Sequence, residues 1–312
     1  MRRVANPQLS PSGEEAVAQY RQVLWEHEDL TSASRRNYVS DLRHFAAWYE
    51  ANCIRSTDGM VLSQTEFDPR AITTPALTRY RAYPQKDLCQ KPNSVNRALI
   101  SLKRYFSWTM QKQFISYDPS IPVKLVGEEE HAPRHLEDEE EQALVAAVTN
   151  EGTLRDRVLI VLLLHTGLRA REICQLQRDQ VKLSKRSGTL EVIGKRNKYR
   201  EVPLNTTARK VLEEYLSTLT SESISLFPSG KTKEALSERA LGYIVKKYAD
   251  RAKPVNVSSH GLRHRFGYRM AESVPLHRLA QIMGHDSLNT TRLYIQGTKH
   301  DLQQAVETIA WT

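Results

Sequence analysis

Apolar residues recur at helical spacing along two stretches of the first 120 residues. In residues 31–53 and 93–114, steps of three or four positions place the apolar side chains on one helical face. The two stripes are Tyr38, Leu42, Phe45 and Tyr49, then Val95, Leu99, Leu102, Phe106 and Met110. We expect Thr31 or Ser34 to cap the first helix and Ser94 the second. Two further helices are predicted, from Glu14 to Trp25 and near Pro75 to Tyr83.

The pattern changes between Tyr117 and Arg134, where three prolines and the acidic run Glu128–Glu130 predict a linker. Beyond it, acidic residues crowd the start of a helix at Asp138, where they complement the helix dipole. The run VLIVLLLHTG predicts a buried helix that Gly167 ends. The runs TLEVIG and YREVPL flank the turn GKRNK and predict a β-hairpin. Further helices are predicted over 206–219, 234–250, 259–272, 275–283, 288–294 and 301–310.

These elements predict a mainly α protein with a small antiparallel β-sheet. Residues 1–120 form a helical domain, residues 121–135 a linker, and residues 136–312 an α+β domain with a tail at 298–312. A length of 312 residues suits two domains with sizeable cores.

Composition narrows the class of protein. Hydrophobic residues make up 40% of the chain, yet the longest apolar run, Val158–Leu164, is far shorter than the ~20 residues of a membrane span. The N-terminus lacks the apolar core of a signal peptide. Three widely separated cysteines match no zinc spacing and suggest no disulfides, and we expect Cys174 to be a buried thiol. The sequence therefore predicts a cytoplasmic protein without a membrane segment.

The net charge of +9 favours a polyanionic partner, although many basic proteins bind no nucleic acid. Residues 1–130 contribute +2 of this charge and residues 131–312 contribute +7. Most of the excess charge therefore lies in the second domain.

Several short motifs carry residues suited to chemistry, and each is ambiguous alone. In HTGLRARE, Arg169 follows a helix end and Glu172 lies three residues on, where it can hold Arg169 in place. Such an arginine is more often a cap or ion-pair partner. Lys195 lies in the hairpin turn, where most lysines are merely solvated.

The last motifs lie towards the C-terminus. HGLRH places His260 and Arg263 on one helical face. GHDSLNTTRLY places His285 nine residues before Tyr294. A lone helical histidine is more often structural, and a lone tyrosine usually packs in a core.

In combination and in order, these motifs resemble the tyrosine recombinase family of phage integrases, Xer-type and transposon-encoded recombinases. The resemblance covers the region from Pro133 to Gly297, and NSVNRALISLKRYFSW resembles the core-binding domain of that family. It implies a helical, SAM-like core-binding domain followed by a catalytic domain. The implied catalytic residues are Arg169, Lys195, His260, Arg263, His285 and Tyr294, with Glu172 in support.

The resemblance assigns roles that suit the chemistry of a phosphodiester. Arg169 and Arg263 would grip the scissile phosphate with paired, permanently charged donors, so no metal, ATP or other cofactor is expected. Tyr294 would attack as the nucleophile, and because a phenol has a pKa of ~10 it needs a proton acceptor, for which His260 is suited. Lys195 would protonate the leaving 5′-oxygen. The turn has Arg196 where the family often has glycine, which concerns the conformation of the turn and not the role of Lys195. Lys198 is close enough to Lys195 in the sequence to exchange roles with it.

The resemblance also implies how such a protein meets DNA. The partner would be a double-stranded DNA recombination site, and four protomers would assemble on two such sites. Free of DNA, the protein would be a monomer or a weak dimer. Accessory DNA-bending proteins and a prokaryotic, nucleoid-associated location are further expectations. Whether the tail acts within its own protomer or on a neighbour stays open. The basic side chains expected to contact DNA are Arg35, Arg36, Arg43, Arg97, Lys103, Arg104, Arg196 and Lys198.

The sequence thus predicts a site-specific recombinase that acts through a 3′-phosphotyrosyl intermediate and a Holliday junction. One alternative is a type IB-like topoisomerase, which would relax supercoiled DNA without joining two sites. Another is a non-catalytic architectural DNA-binding protein, which a complete set of six catalytic positions disfavours. The sequence leaves open the DNA site and the choice among integration, excision, resolution and inversion.

Overall fold

The computed structural model describes residues 6–26, 30–53, 56–57, 60–61, 66–127, 136–194, 198–219, 223–232, 234–252, 257–285, 287–292 and 294. The chain divides into two compact units, Met1–Glu130 and His131–Thr312. Much of the predicted linker, and the predicted tail with its helix at 301–310, lie outside the described residues. Within the described ranges, no helix is both long and apolar enough to cross a membrane.

In its described residues, the first unit contains four α-helices. They are α1 (Pro11–Glu26), α2 (Ser32–Asn52), α3 (Thr74–Lys86) and α4 (Pro92–Gln111), with the short antiparallel strands β1 (Ser56–Thr57) and β2 (Met60–Val61) between α2 and α3. The predicted stripes meet in its core, where Phe45 and Phe106 are fully buried with ring centroids 6.2 Å apart. The all-helical character predicted for this segment is therefore confirmed, apart from the short strands.

Local details of α2 and α4 differ in how well the sequence predicted them. Thr31 caps α2 as expected, because its hydroxyl accepts a hydrogen bond from the Ser34 backbone at 3.1 Å. Ser94 was the wrong cap for α4, which begins at Pro92 because the fixed φ of proline suits the first helical position. Met110 was expected in the stripe but is 45% exposed, since the stripe leaves the core one turn early.

The second unit combines eight helices with one sheet in its described parts. The helices are α5 (Asp138–Glu151), α6 (Leu154–Thr166), α7 (Ala170–Gln175), α8 (Thr206–Thr218), α9 (Glu238–Arg251), α10 (Ser259–Ala271), α11 (Leu276–Met283) and α12 (Leu288–Arg292). The strands are β3 (Val181–Leu183), β4 (Gly188–Ile193) and β5 (Tyr199–Pro203), antiparallel in the order β3-β4-β5. The predicted fold class, mainly α with a small antiparallel sheet, is confirmed.

Helix α6 forms the centre of this unit. Every residue of Val158–Leu164 is at most 5% exposed, as its apolar run predicts. The hairpin pairs Leu190 with Val202, and both side chains are fully buried. Strand β3 was not predicted, because alternation over three residues is too short a signal. Cys174 is buried, and burial raises the pKa of its thiol to about 12, as expected for a structural cysteine.

Candidate active site

Arg169 lies at the start of α7, two residues beyond the glycine that ends α6. Gly167 adopts φ +61°, which turns the chain sharply, and Leu168 is buried at the turn. The Arg169 backbone N–H and its Nη1 each donate to Glu172 at 2.8 Å, and Nη2 donates to the Gly284 carbonyl at 2.7 Å. The guanidinium is thus held from two directions while 40% of the side chain stays exposed.

Glu172 is a buried carboxylate shared by two arginines. Besides Arg169, it binds Arg200 of β5, whose Nη1 and Nη2 donate to its two oxygens at 2.9 Å each. Burial acts to raise the pKa of Glu172, but the hydrogen bonds and charges of Arg200 and Arg169 outweigh it and lower the pKa below its usual range. Glu172 is therefore an anion at neutral pH that fixes both arginines.

Arg263 of α10 is almost fully buried, with 3% of its surface exposed. Its Nη1 donates to the Gly167 carbonyl, and its Nη2 donates to the Met283 carbonyl at 2.9 Å. Burial, reinforced by the charge of Arg169, lowers the pKa of Arg263 to about 10. The side chain is still a cation at neutral pH, and two backbone carbonyls of the described residues accept its hydrogen bonds.

His285 contacts Arg263 in a way that fixes its protonation. Nη2 of Arg263 lies 2.9 Å from His285 Nε2, and His285 Nδ1 lies 2.7 Å from the Thr291 hydroxyl. Because a guanidinium only donates, Nε2 must accept and the ring proton sits on Nδ1, directed to Thr291. Burial, and then the positive charges of Arg263, Arg169 and Arg200, lower the pKa of His285 to about 4. The ring is thus neutral.

The end of α11 gathers the three arginines. Three consecutive carbonyls, those of Ile282, Met283 and Gly284, accept hydrogen bonds from Arg200 Nε, Arg263 Nη2 and Arg169 Nη2 at 3.0, 2.9 and 2.7 Å. Carbonyls at a helix C-terminus carry a partial negative charge, which favours cations there. This helix end therefore brings side chains from α7, α10 and β5 to one place.

Tyr294 lies against α10 close to this cluster. Its ring is 7% exposed and contacts the backbone at Gly267, where a Cβ atom would lie 2.6 Å from two ring carbons. Tyr268 meets the ring edge-on at a centroid distance of 5.3 Å, and His285 stacks on it at 6.2 Å. Burial raises the pKa of the Tyr294 phenol, and the charges of Arg263 and Arg169 offset only part of this rise.

Two histidines of α10 differ in their access to the Tyr294 hydroxyl. His264 Nδ1 lies 3.1 Å from that oxygen, in a buried hydrogen bond. His260 is exposed on the first turn of α10 and packs edge-on against the His264 ring, with centroids 4.3 Å apart. The described contact of the phenol is therefore with His264, whereas the sequence pointed to His260.

The hairpin lysines are only partly described. Lys195 and Arg196, predicted for catalysis and DNA contact, lie outside the described residues. Lys198 is exposed at the start of the second arm, and its carbonyl accepts a hydrogen bond from the Gly194 N–H at 2.7 Å. The hairpin is thus paired up to the base of its turn.

Arg200 and His264 were missed by the sequence reasoning, although a signal existed for each. Arg200 is two residues before the buried Val202, which places it on the inward face of β5. His264 is four residues after His260, on the same face of α10. In both cases the helical or strand period indicated the direction of the side chain but not its partner.

The basic residues predicted to contact DNA in the first unit are mostly engaged within it. Arg97 donates to the buried Asp41 at 2.7 and 3.0 Å, and Arg43 donates to Glu14 at 2.5 and 2.6 Å. Arg36 is exposed on α2. Others contact neighbours as follows: Arg35 lies over the Trp25 ring, Arg104 lies over the Tyr38 ring, and Lys103 donates to the Ser120 carbonyl.

The sequence of this chain matches a known class of protein. A sequence model of the phage integrase family matches residues 134–300, more than half of the chain. The chain therefore belongs to the phage integrase family, and the resemblance drawn from the motifs is confirmed.

Named relatives narrow the class further. The chain is 29% identical over 291 residues to the tyrosine recombinase XerD of Shewanella oneidensis, covering 90% of this chain and 91% of that protein. It is 32% identical over 220 residues to the tyrosine recombinase XerA of Pyrococcus furiosus, covering 69% and 73%. These relatives make the chain a recombinase enzyme and support site-specific recombination as its activity.

Solved structures agree on the fold. XerH site-specific recombinase bound to palindromic difH substrate, in a post-cleavage complex, superposes with a TM-score of 0.72 at 21% identity, covering 97% of this chain and 90% of that one. A lambda integrase tetramer bound to a Holliday junction gives 0.66 at 15% identity, covering 89% and 78%. At these identities the likeness concerns the fold.

Proposed function

We propose that the chain is a site-specific DNA recombinase that cuts and rejoins DNA through a 3′-phosphotyrosyl link to Tyr294. The observation that carries this proposal is the convergence at the end of α11. Arg169 and Arg263 bind consecutive carbonyls there, and the next residue, His285, stacks on the Tyr294 ring. The guanidinium groups of Arg169 and Arg263 and the phenol of Tyr294 thus lie around the same helix end.

In this proposal the arginine pair binds the two non-bridging oxygens of the scissile phosphate. Attack by a phenolate concentrates negative charge on those oxygens, and paired guanidinium donors stabilise that charge more than they stabilise the ground state. Both guanidinium groups are already oriented by Glu172 and by backbone carbonyls, so little reorganisation is needed when DNA binds. The two arginine side chains would supply the positive charge that a metal ion supplies in other enzymes.

The bond changes balance without an energy source. The Tyr294 oxygen forms a bond to phosphorus while the bond from phosphorus to the 5′-oxygen breaks. The phenol proton leaves to an acceptor in the protein, and Lys195, or Lys198 in its stead, gives a proton to the 5′-oxygen. The phosphotyrosyl ester conserves the bond energy, so a 5′-hydroxyl from another strand can reverse the step without ATP.

We propose the assembly by analogy with the proteins of similar fold. One of them is a tetramer on a Holliday junction, and another was captured on its DNA after cleavage. Four copies of this chain on two DNA sites would exchange one pair of strands and then the other. The helical unit, residues 1–120, would act as the core-binding domain and residues 136–312 as the catalytic domain, joined by the linker 121–135. Phosphate contacts should make binding fall steeply with salt.

The experiment that tests this function separates recombination from relaxation. DNA that the full chain selects from a random pool defines a site, and two copies of that site are placed in one supercoiled plasmid. We expect deletion or inversion products with exchanged flanks, formed in EDTA and without ATP. Relaxation of plasmids with and without sites, and no exchanged flanks, would favour a topoisomerase. Binding without any broken strand would favour an architectural protein.

A further inference from the structure

The hydroxyl group of the nucleophile has a defined partner on α10. His264 Nδ1 lies 3.1 Å from the Tyr294 oxygen, and both side chains are at least nine-tenths buried. His264 directly follows Arg263, whose guanidinium belongs to the arginine cluster. The contact therefore joins the nucleophile to the element that carries a phosphate-binding arginine.

The surroundings hold this contact in place from several sides. The Tyr294 ring lies over Gly267, one turn after His264, where the absence of a side chain admits it. Tyr268 packs at the ring edge and His285 on the ring face. The phenol can therefore turn little without leaving the cavity in which His264 meets its oxygen.

The neutral charge state of His264 suits it to accept a proton. Burial, with help from His260 and Arg263, lowers the pKa of His264 to about 4, so the ring is neutral at pH 7. In the tautomer protonated at Nε2, Nδ1 has a free lone pair, and the phenol donates its proton along the 3.1 Å contact, as transfer of that proton requires. The other titratable or charged groups that face this pair are Arg169, Tyr268 and His285.

We propose that His264, rather than His260, accepts the Tyr294 proton as the phenol oxygen attacks phosphorus. The inference rests on the proposed function and adds a residue to it. The O–H bond of Tyr294 breaks, its proton moves to His264 Nδ1, and the oxygen forms the bond to phosphorus while the 5′-oxygen leaves with a proton from the hairpin lysine. His260, exposed on the first turn, remains available to the DNA.

Binding of DNA would make His264 a better base. Two of the influences that disfavour its protonated form are the nearby guanidinium and the exclusion of water. A phosphate bound to Arg263 and Arg169 places negative charge beside those cations, and this charge rises further in the transition state. An opposite charge close by favours the protonated imidazole. His264 would thus become a stronger base only when DNA is bound.

The test compares His264→Asn with His260→Asn in the full-length protein. An asparagine amide retains a hydrogen-bonding group close to the Nδ1 position but accepts no proton. The assay is single-turnover formation of covalent adduct on a nicked suicide DNA from pH 6 to 9. For His264→Asn we expect a rate loss of about 10²–10⁴ and a rate that rises roughly tenfold per pH unit, because solvent must then take the proton. His260→Asn should keep the pH profile of the wild type.

Two further measurements keep the test decisive. A 5′-bridging phosphorothioate substrate, whose sulfur leaves unprotonated, should not restore His264→Asn, although it should restore a Lys195→Ala variant. Added imidazole should speed adduct formation by His264→Ala, with rates expressed per folded molecule. A wild-type rate and profile in His264→Asn, or the steep pH dependence in His260→Asn instead, would overturn the assignment. If the wild type itself forms no adduct, the proposed function fails and not only the role of His264.

Discussion

Arg200 and Glu172 face each other through two parallel hydrogen bonds of 2.9 Å, joining the sheet to the start of α7. The two side chains are 13% and 5% exposed, so the pair is largely withdrawn from water. Arg200 also donates to the Ile282 carbonyl at the end of α11. It is therefore a positioning residue, since it acts on the arginine pair through Glu172 and α11.

Replacing Arg200 should weaken both the fold and the reaction. Arg200→Gln leaves a buried carboxylate with only part of its partners, which should lower the free energy of unfolding by roughly 3 kcal/mol. In a double-mutant cycle with Glu172→Gln, denaturant unfolding should show a coupling of about 0.5–3 kcal/mol. Arg200→Lys cannot form both bonds and should rescue little. Additive effects of the two changes would show that the pair is not coupled.

Gly267→Ala should separate activity from stability. Alanine is the better helix former by about 0.5–1 kcal/mol, so the melting temperature should not fall for that reason. The new Cβ would lie 2.6 Å from the Tyr294 ring and displace it, so adduct formation should drop at least tenfold. Gly242→Ala in α9 is the matched control, since its Cβ would meet nothing within 4 Å. Equal adduct yields from the two variants would mean that Tyr294 does not react from this position.

The buried histidines should make stability depend on pH in a known direction. The pKa of His264 and that of His285 are each lowered from 6.5 to about 4, so between these values the unfolded chain binds more protons. Stability is therefore fully present above pH 6.5 and is lost as the pH falls towards 4, by up to about 1.4 kcal/mol per pH unit for each histidine. Urea unfolding at pH 5 and 7 measures this slope. It should shrink in His264→Asn but not in the exposed control His277→Asn, and an unchanged slope in both would contradict the account.

Two arginines of the first unit should respond differently to loss of charge. Arg36 is exposed, so Arg36→Gln should leave unfolding unchanged and, if it meets a phosphate, lower the salt slope of DNA binding by about 1. Arg97 binds the fully buried Asp41, so Arg97→Gln should cost about 1.5–3 kcal/mol of stability. Thermal unfolding and binding titrations at several salt concentrations distinguish them. The reverse pattern would show that Arg97, not Arg36, faces the DNA.

Most of the fold could be predicted from local sequence patterns, because residues that are close in sequence determine where helices and hairpins form. The apolar run of α6 and the stripe of α2 were sufficient to predict buried helices. Ser94 failed as a cap because the preceding Pro92 starts the helix first, a competition that periodicity does not register.

The candidate site was only partly accessible to such reasoning. The motif order singled out Arg169 and Arg263, but not the end of α11 that holds them. Arg200 is 28 residues from Glu172, and His264 is 30 from Tyr294. Partnerships over such separations depend on how the elements pack, and spacing within one element does not contain that information.

The central claim, that Tyr294 is the nucleophile, is tested most directly by the residue to which DNA becomes attached. A nicked suicide substrate is incubated with the wild type, with Tyr294→Phe and with Tyr268→Phe, whose ring lies 5.3 Å from that of Tyr294. We predict a 3′-linked adduct in the wild type and in Tyr268→Phe. Tyr294→Phe should form no adduct although it still binds DNA. Mass spectrometry of the wild-type adduct should identify a nucleotide-bearing peptide that contains Tyr294. An adduct that persists in Tyr294→Phe, or that maps to another residue, would contradict the account.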